Sequence, residues 1–134
     1  MKVAIPSRLD EGKRAILKSA IRVVGWLAVL AIVVLSVVPG TLRPDVLGEK
    51  HMEHLVAYLG TSILLAAGYP RRFQLILIGV LLASGSGVLE IVQLWIPGRS
   101  SSPVDFAASS LGAWVGVATM SLFGPTLMGL FPEQ

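Results

Sequence analysis

Eight side chains able to do acid–base, ligand-binding or metal chemistry lie in three short stretches of this chain: His51, Glu53, His54 and Tyr58; then Glu90, Gln93 and Arg99; then Asp105. His54 and Tyr58 are four residues apart and Glu90 and Gln93 three apart, so on helices each pair would share a face. Brought together, His54, Tyr58, Glu90, Gln93, Arg99 and Asp105 would supply two carboxylates, a guanidinium, an amide, an imidazole and a phenol. Such a set suits an anionic headgroup held by Arg99 while Glu90 and Asp105 orient it, or acid–base work by Glu90 or His54. The chain has no cysteine, which excludes disulfides, thiolate metal sites and cysteine nucleophiles. His51, His54, Glu90 and Asp105 follow no metal-ligand spacing, so neither a metal site nor a cofactor is expected from the sequence.

The elements that must position these groups are membrane helices. The chain of 134 residues is 54% hydrophobic and only 14% charged, against about 25% charged in ordinary soluble domains. Four apolar segments emerge, to be compared with the ~20 residues that cross the hydrocarbon core. They run from Ala20 to Val38, ended by Pro39-Gly40; from Glu53 to Tyr69, closed by Pro70; from Phe73 to Ile96, stopped by Pro97-Gly98; and from Pro103 to Phe123, broken by Gly124-Pro125. The remaining tail, Thr126 to Phe131, is too short to span and is expected at the interface. Continuous apolar runs exclude barrel strands, which alternate over about ten residues, and helices satisfy their own backbone in lipid. The expected fold is therefore an all-α integral membrane protein, a compact bundle of about four transmembrane helices. A basic N-terminal segment (residues 1–19) precedes the membrane domain (residues 20–134). The valines before Pro39 lack a cleavage pattern, so the first segment reads as a retained anchor.

Basic residues set the expected orientation. Lys2, Arg8, Lys13, Arg14, Lys18, Arg22, Arg71 and Arg72, eight of the eleven, fall on one side; Arg43, Lys50 and Arg99 fall on the other. The positive-inside rule then puts both termini in the cytoplasm and the protein in the cytoplasmic (inner) membrane. The net charge of +3 is thus explained by topology. The basic residues flank apolar runs and are not interleaved with aromatics, so no nucleic-acid partner is expected. Residues Ser7 to Lys18 read either as a solvated topogenic tail or as a basic helix on the anionic leaflet.

The stretches EHLVAYLG (Glu53 to Gly60), LEIVQLWIPGR (Leu89 to Arg99), and Asp105 followed by LGAWVG (Leu111 to Gly116) together resemble the VanZ-like family. That family's pattern is a His-x-x-x-Tyr in one helix, a Glu-x-x-Gln running into Pro-Gly-Arg, and an Asp followed by an Asn and a Gly-Ala-x-x-Gly helix. His54, Tyr58, Glu90, Gln93, Arg99, Asp105, Gly112 and Gly116 fall on matching positions, over a region from about Pro39 to the end of the fourth segment. Two positions depart from it. Many members carry Asp-Lys before the His, where this chain has His51, Met52 and Glu53, and the family Asn corresponds to Ser109, which can replace only part of its hydrogen bonding. The resemblance implies a cell-envelope membrane protein linked to glycopeptide (teicoplanin) susceptibility, and it implies no defined molecular activity.

Plainer roles stand beside these. Asp105 could serve in a capping box opened by Ser102 and Pro103. Arg99 could snorkel to headgroups, pair with Glu90 or Asp105, or hold an anion. Glu90 with Gln93 could be an interhelical clamp, and His51 an exposed loop residue. Ala108, Gly112 and Gly116 form a small-residue stripe for close helix packing. Three functions stay open: binding of an anionic or lipid-linked envelope precursor at the outer face through His54, Tyr58, Glu90, Gln93, Arg99, Asp105 and Ser109; a structural subunit with a membrane-protein partner or a second copy of itself; and an intramembrane acid–base enzyme. Four short helices with their acids at one end offer no midplane transport site.

Overall fold

A computed structural model of the protein describes residues 8–42 and 47–129. Arg43 and the end of the tail, residues 130–134, lie outside the described residues, as does Lys2. Four α-helices form: α1 (Arg8–Val37), α2 (Lys50–Gly68), α3 (Arg72–Gln93) and α4 (Pro103–Gly129). α1, α3 and α4 are long and apolar enough to cross a membrane. α2 is not in that class, because its first turns carry Lys50, His51, Glu53 and His54 and only the stretch from Leu55 onward is apolar.

The boundaries follow the punctuation of the sequence, with three instructive differences. α1 is one continuous helix from Arg8, so the basic segment beyond residue 7 extends the first span rather than forming a separate tail. After α3 the apolar run continues through i→i+3 turns, Leu94 N to Ile91 O, Trp95 N to Val92 O and Ile96 N to Gln93 O, before Pro97 ends it. Gly124-Pro125 does not end α4, which runs on to Gly129 and takes the first residues of the tail with it. Membrane helices tolerate such interruptions.

The helices run alternately up and down. Near the start of the first apolar run, Arg22 Nε donates to the carbonyl of Gly68 at the end of α2 (2.8 Å), and Trp26 Nε1 donates to Tyr69 Oη (3.2 Å). At the other end of the bundle, Gly40 N donates to Pro97 O (3.2 Å), so the two Pro-Gly turns lie against each other. A Cβ on Gly40 would collide with the Gly98 carbonyl. Gly98 itself has φ +73°, a conformation natural only to glycine.

α2 is the centre of the bundle and packs on all three other helices, most extensively on α4. The seam is backbone to backbone. A Cβ on Gly112 would strike the Leu55 carbonyl and one on Gly116 would come within 3.0 Å of Leu59 O. Ser62 Oγ donates across it to Ala113 O (2.6 Å). Small residues permit this approach, and without hydrophobic drive between helices in lipid, packing and interhelical hydrogen bonds hold them. The buried face of α4 runs through Asp105, Ser109, Gly112, Ala113, Gly116 and Val117. Ala108 lies half-buried at its edge. The core proper is Tyr58, Leu65, Ala66, Leu75, Ile78, Leu82, Ala113 and Val117.

Candidate functional site

Four helix termini meet at one end of the bundle: the C-terminal ends of α1 and α3 and the N-terminal ends of α2 and α4. The site is built from what each terminus needs. Ser102 is the N-cap of α4; its Oγ accepts from Val104 N (3.2 Å), satisfying one of the orphan donors of the first turn. A capping box would have Asp105 reach back to Ser102 N. Instead Glu90 Oε2, from α3, accepts that N–H (2.9 Å). Asp105 is thereby released from capping and turns toward α2.

There it is fully buried and takes two partners from the first turn of α2. His51 Nδ1 bonds Asp105 Oδ1, and Lys50 Nζ lies 2.5 Å from Oδ2. The lysine also donates to Ser100 O (2.6 Å). His51 is therefore not a loop residue but a helical one, side chain half-exposed, fastened to α4. Lys50, counted in the sequence only as a charge, is the cation that accompanies a buried carboxylate. One turn further along α2, His54 Nδ1 and Ser109 Oγ lie 3.1 Å apart. One ligand-capable atom from each of His54, Glu90 and Asp105 lies within 4.8 Å of the others. No local spacing announced this grouping, because its members come from α2, α3 and α4.

Arg99 does something else. Its guanidinium donates to the last carbonyls of α1, Nε to Val38 O (2.9 Å) and the second contact to Leu35 O. It caps a helix C-terminus, where free carbonyls and the negative end of the macrodipole favour a cation. Pairing with Glu90 or Asp105 is not what these bonds show. Arg99 nevertheless borders a cavity of about 330 Å³ between α1 and α2, lined also by Ser36, Glu53, His54, Tyr58 and Gln93 and by the apolar Ile32, Leu35, Leu47, Val56 and Ala57. His54 thus belongs both to the buried carboxylate knot and to the cavity wall. Gln93, 1% exposed, also reaches that wall, and its Oε1 has no hydrogen-bond partner.

Of the seven residues singled out for the site, the structure groups His54, Glu90, Asp105 and Ser109 in the knot, and His54, Tyr58, Gln93 and Arg99 around the cavity. The hydroxyl–imidazole–carboxylate order of Ser109, His54 and the acids has the outline of a nucleophile relay. Ser109 is only 1% exposed and does not border the cavity, so a substrate would not reach it. Comparison with models of known families, with curated proteins and with solved structures returns no match.

Proposed function

We propose that this chain is a VanZ-like membrane protein of the cell envelope that holds the polar head of an anionic, lipid-linked amphiphile at its outer face. The observation that carries this reading is the two-sided cavity. Its volume of about 330 Å³ falls at the lower end of the range of small-molecule pockets. Its lining is of two kinds: Ile32, Leu35, Leu47, Val56 and Ala57 are apolar, and Ser36, Glu53, His54, Tyr58, Gln93 and Arg99 are polar, with Arg99 the cation for an anionic head. Leu35, Leu47 and Val56 beside it are exposed, so an acyl or isoprenoid chain could lie along the bundle surface with its head among Arg99, Gln93, Tyr58 and His54. The motifs from Glu53 to Gly60, Leu89 to Arg99 and Asp105 to Gly116, which resemble the VanZ-like family, furnish those same polar residues and support a place in envelope glycopeptide susceptibility.

The test is lipid identification. Protein purified in mild detergent should retain a phosphate-bearing amphiphile enriched over the bulk membrane. Ala57→Trp, which fills the cavity from an exposed position, should release it while the protein stays monodisperse. Identical lipid profiles for both proteins, matching the bulk membrane, would overturn the reading.

Orientation is the second element. Lys13, Arg14, Lys18, Arg22, Arg71 and Arg72 share the end of the bundle opposite the cavity, as the Arg22 bond to Gly68 requires. The positive-inside rule makes that end cytoplasmic. The absence of native cysteine makes this simple to test in intact cells. A membrane-impermeant maleimide should label Leu47→Cys directly and Phe73→Cys only after permeabilisation. The reverse pattern would invert the topology and move the site to the cytoplasm.

A further inference from the structure

We infer that His54, Glu90 and Asp105 form a binding site for one divalent transition-metal ion of the Zn²⁺ class. Three observations carry it. First, one donor atom from each side chain already lies within 4.8 Å of the other two, whereas the ligands of a tetrahedral zinc stand roughly 3.3 Å apart at normal bond lengths. Metal binding would draw the three donor atoms into that range. Second, two carboxylates are buried here, Glu90 at 6% and Asp105 at 0% exposure, and two buried anions this close repel each other unless cationic charge stands with them.

Third, one buried acceptor is unsatisfied: Gln93 Oε1 has no hydrogen bond and lies three residues after Glu90 on the same helix face. The Lys50 ammonium pairs with Asp105 Oδ2 at 2.5 Å and also donates to Ser100 O, so a metal would compete with this lysine for Asp105. A buried acceptor without a donor, one helical turn from Glu90, suits the water that such a cation carries. One imidazole with two carboxylates favours Zn²⁺ or Mn²⁺ over Ca²⁺, which prefers an all-oxygen cage. The His51 bond to Asp105 is the outer-shell contact that typically orients a metal-bound carboxylate. Three protein ligands leave a fourth position open for water. The cation requires only these side chains and does not depend on whether the cavity holds an amphiphile.

Lys50 supplies a diagnostic, because it and the metal compete for Asp105. Full-length protein in detergent, stripped with chelator, should take up one equivalent of Zn²⁺ and, more weakly, Mn²⁺, read by mass spectrometry of metal content and by the rise in Tm. His54→Ala and Glu90→Gln should weaken that binding by about 100-fold or more, at or beyond the upper end of what outer-shell changes cost. Lys50→Met, at a part-exposed position, should tighten it roughly tenfold, since one competing charge is gone. If Glu90→Gln does not fold, the Lys50→Met titration decides alone. Failure of the wild-type protein to bind stoichiometric metal, or affinity unchanged by Glu90→Gln or by Lys50→Met, would overturn the site.

Discussion

α1 and α2 are the two extremes of this bundle. α1 is the most apolar of the spans, yet of its described side chains only Gly25 and Ser36 are buried. Beyond the packing of Gly25, Val29 and Ile32 on the core, it is tied by polar bonds: Arg22, midway along it, bonds the last carbonyl of α2, and Arg99 bonds carbonyls at its C-terminal end. α2 does not reach that apolar class, and it buries Tyr58, Thr61, Ser62, Leu65, Ala66 and Gly68. It is held along its length by α4 backbone. In water the most hydrophobic helix would be the core. In a bilayer the lipid tails are as apolar as any leucine, so hydropathy marks the helix that faces lipid, and packing falls to small and polar residues. α2, which brings His51, His54 and Tyr58 to the candidate site, is therefore the helix not apolar enough to count among the spans.

The largest effect should come from breaking the α2–α4 seam. In Gly112→Leu the new side chain meets the Leu55 carbonyl and the Leu59 amide rather than a flexible side chain, so neighbouring rotamers cannot relieve it. A loss of about 3 kcal/mol, the upper part of the overpacking range, is expected. Thermal unfolding in detergent would measure it. Stability equal to the parent's would mean that α2 is not held by this seam, and the contrast with α1 would fall.

Much of this division was legible in the sequence, and what was not has a common cause. Pro39-Gly40, Pro70, Pro97-Gly98 and Pro103 mark the helix ends because proline cannot continue an upstream hydrogen-bond ladder. The small residues at Gly112 and Gly116 announced a close approach. His54, Glu90 and Asp105 were drawn to one level by rise per residue and chain reversal alone. Partner choice was not legible. Capping chemistry pointed Asp105 at Ser102, but Glu90, twelve residues before Ser102 and on another helix, takes that bond. Arg99 has carboxylates near it in sequence and carbonyls of α1 near it in space. Lys50 and His51 read as surface residues because only the fold reveals that their turn lies over Asp105. Periodicity reports which face a residue occupies; it says nothing of which neighbour a tertiary contact selects.

The sharpest test of the comparison lies within α1. If polar bonds hold that helix, cutting the one at its C-terminal end should matter and trimming its exposed, lipid-facing side chains should not. Arg99→Gln removes the guanidinium from Leu35 O and Val38 O. Charge-assisted hydrogen bonds contribute about 1.5–3 kcal/mol when buried; at this half-buried position a loss of about 1–2 kcal/mol is expected, with the end of α1 loosened first. Val34→Ala removes two methyl groups from a residue 48% exposed. In lipid those methyls exchange one apolar neighbour for another, and alanine favours the helix slightly, so the change should stay within about 0.5 kcal/mol. Unfolding midpoints for the two variants, read beside cysteine accessibility introduced at Leu42, would separate the cases. An Arg99→Gln effect no larger than that of Val34→Ala would show that α1 is retained by lipid-side packing after all, and that the arginine at the cavity rim has its chief role toward a ligand.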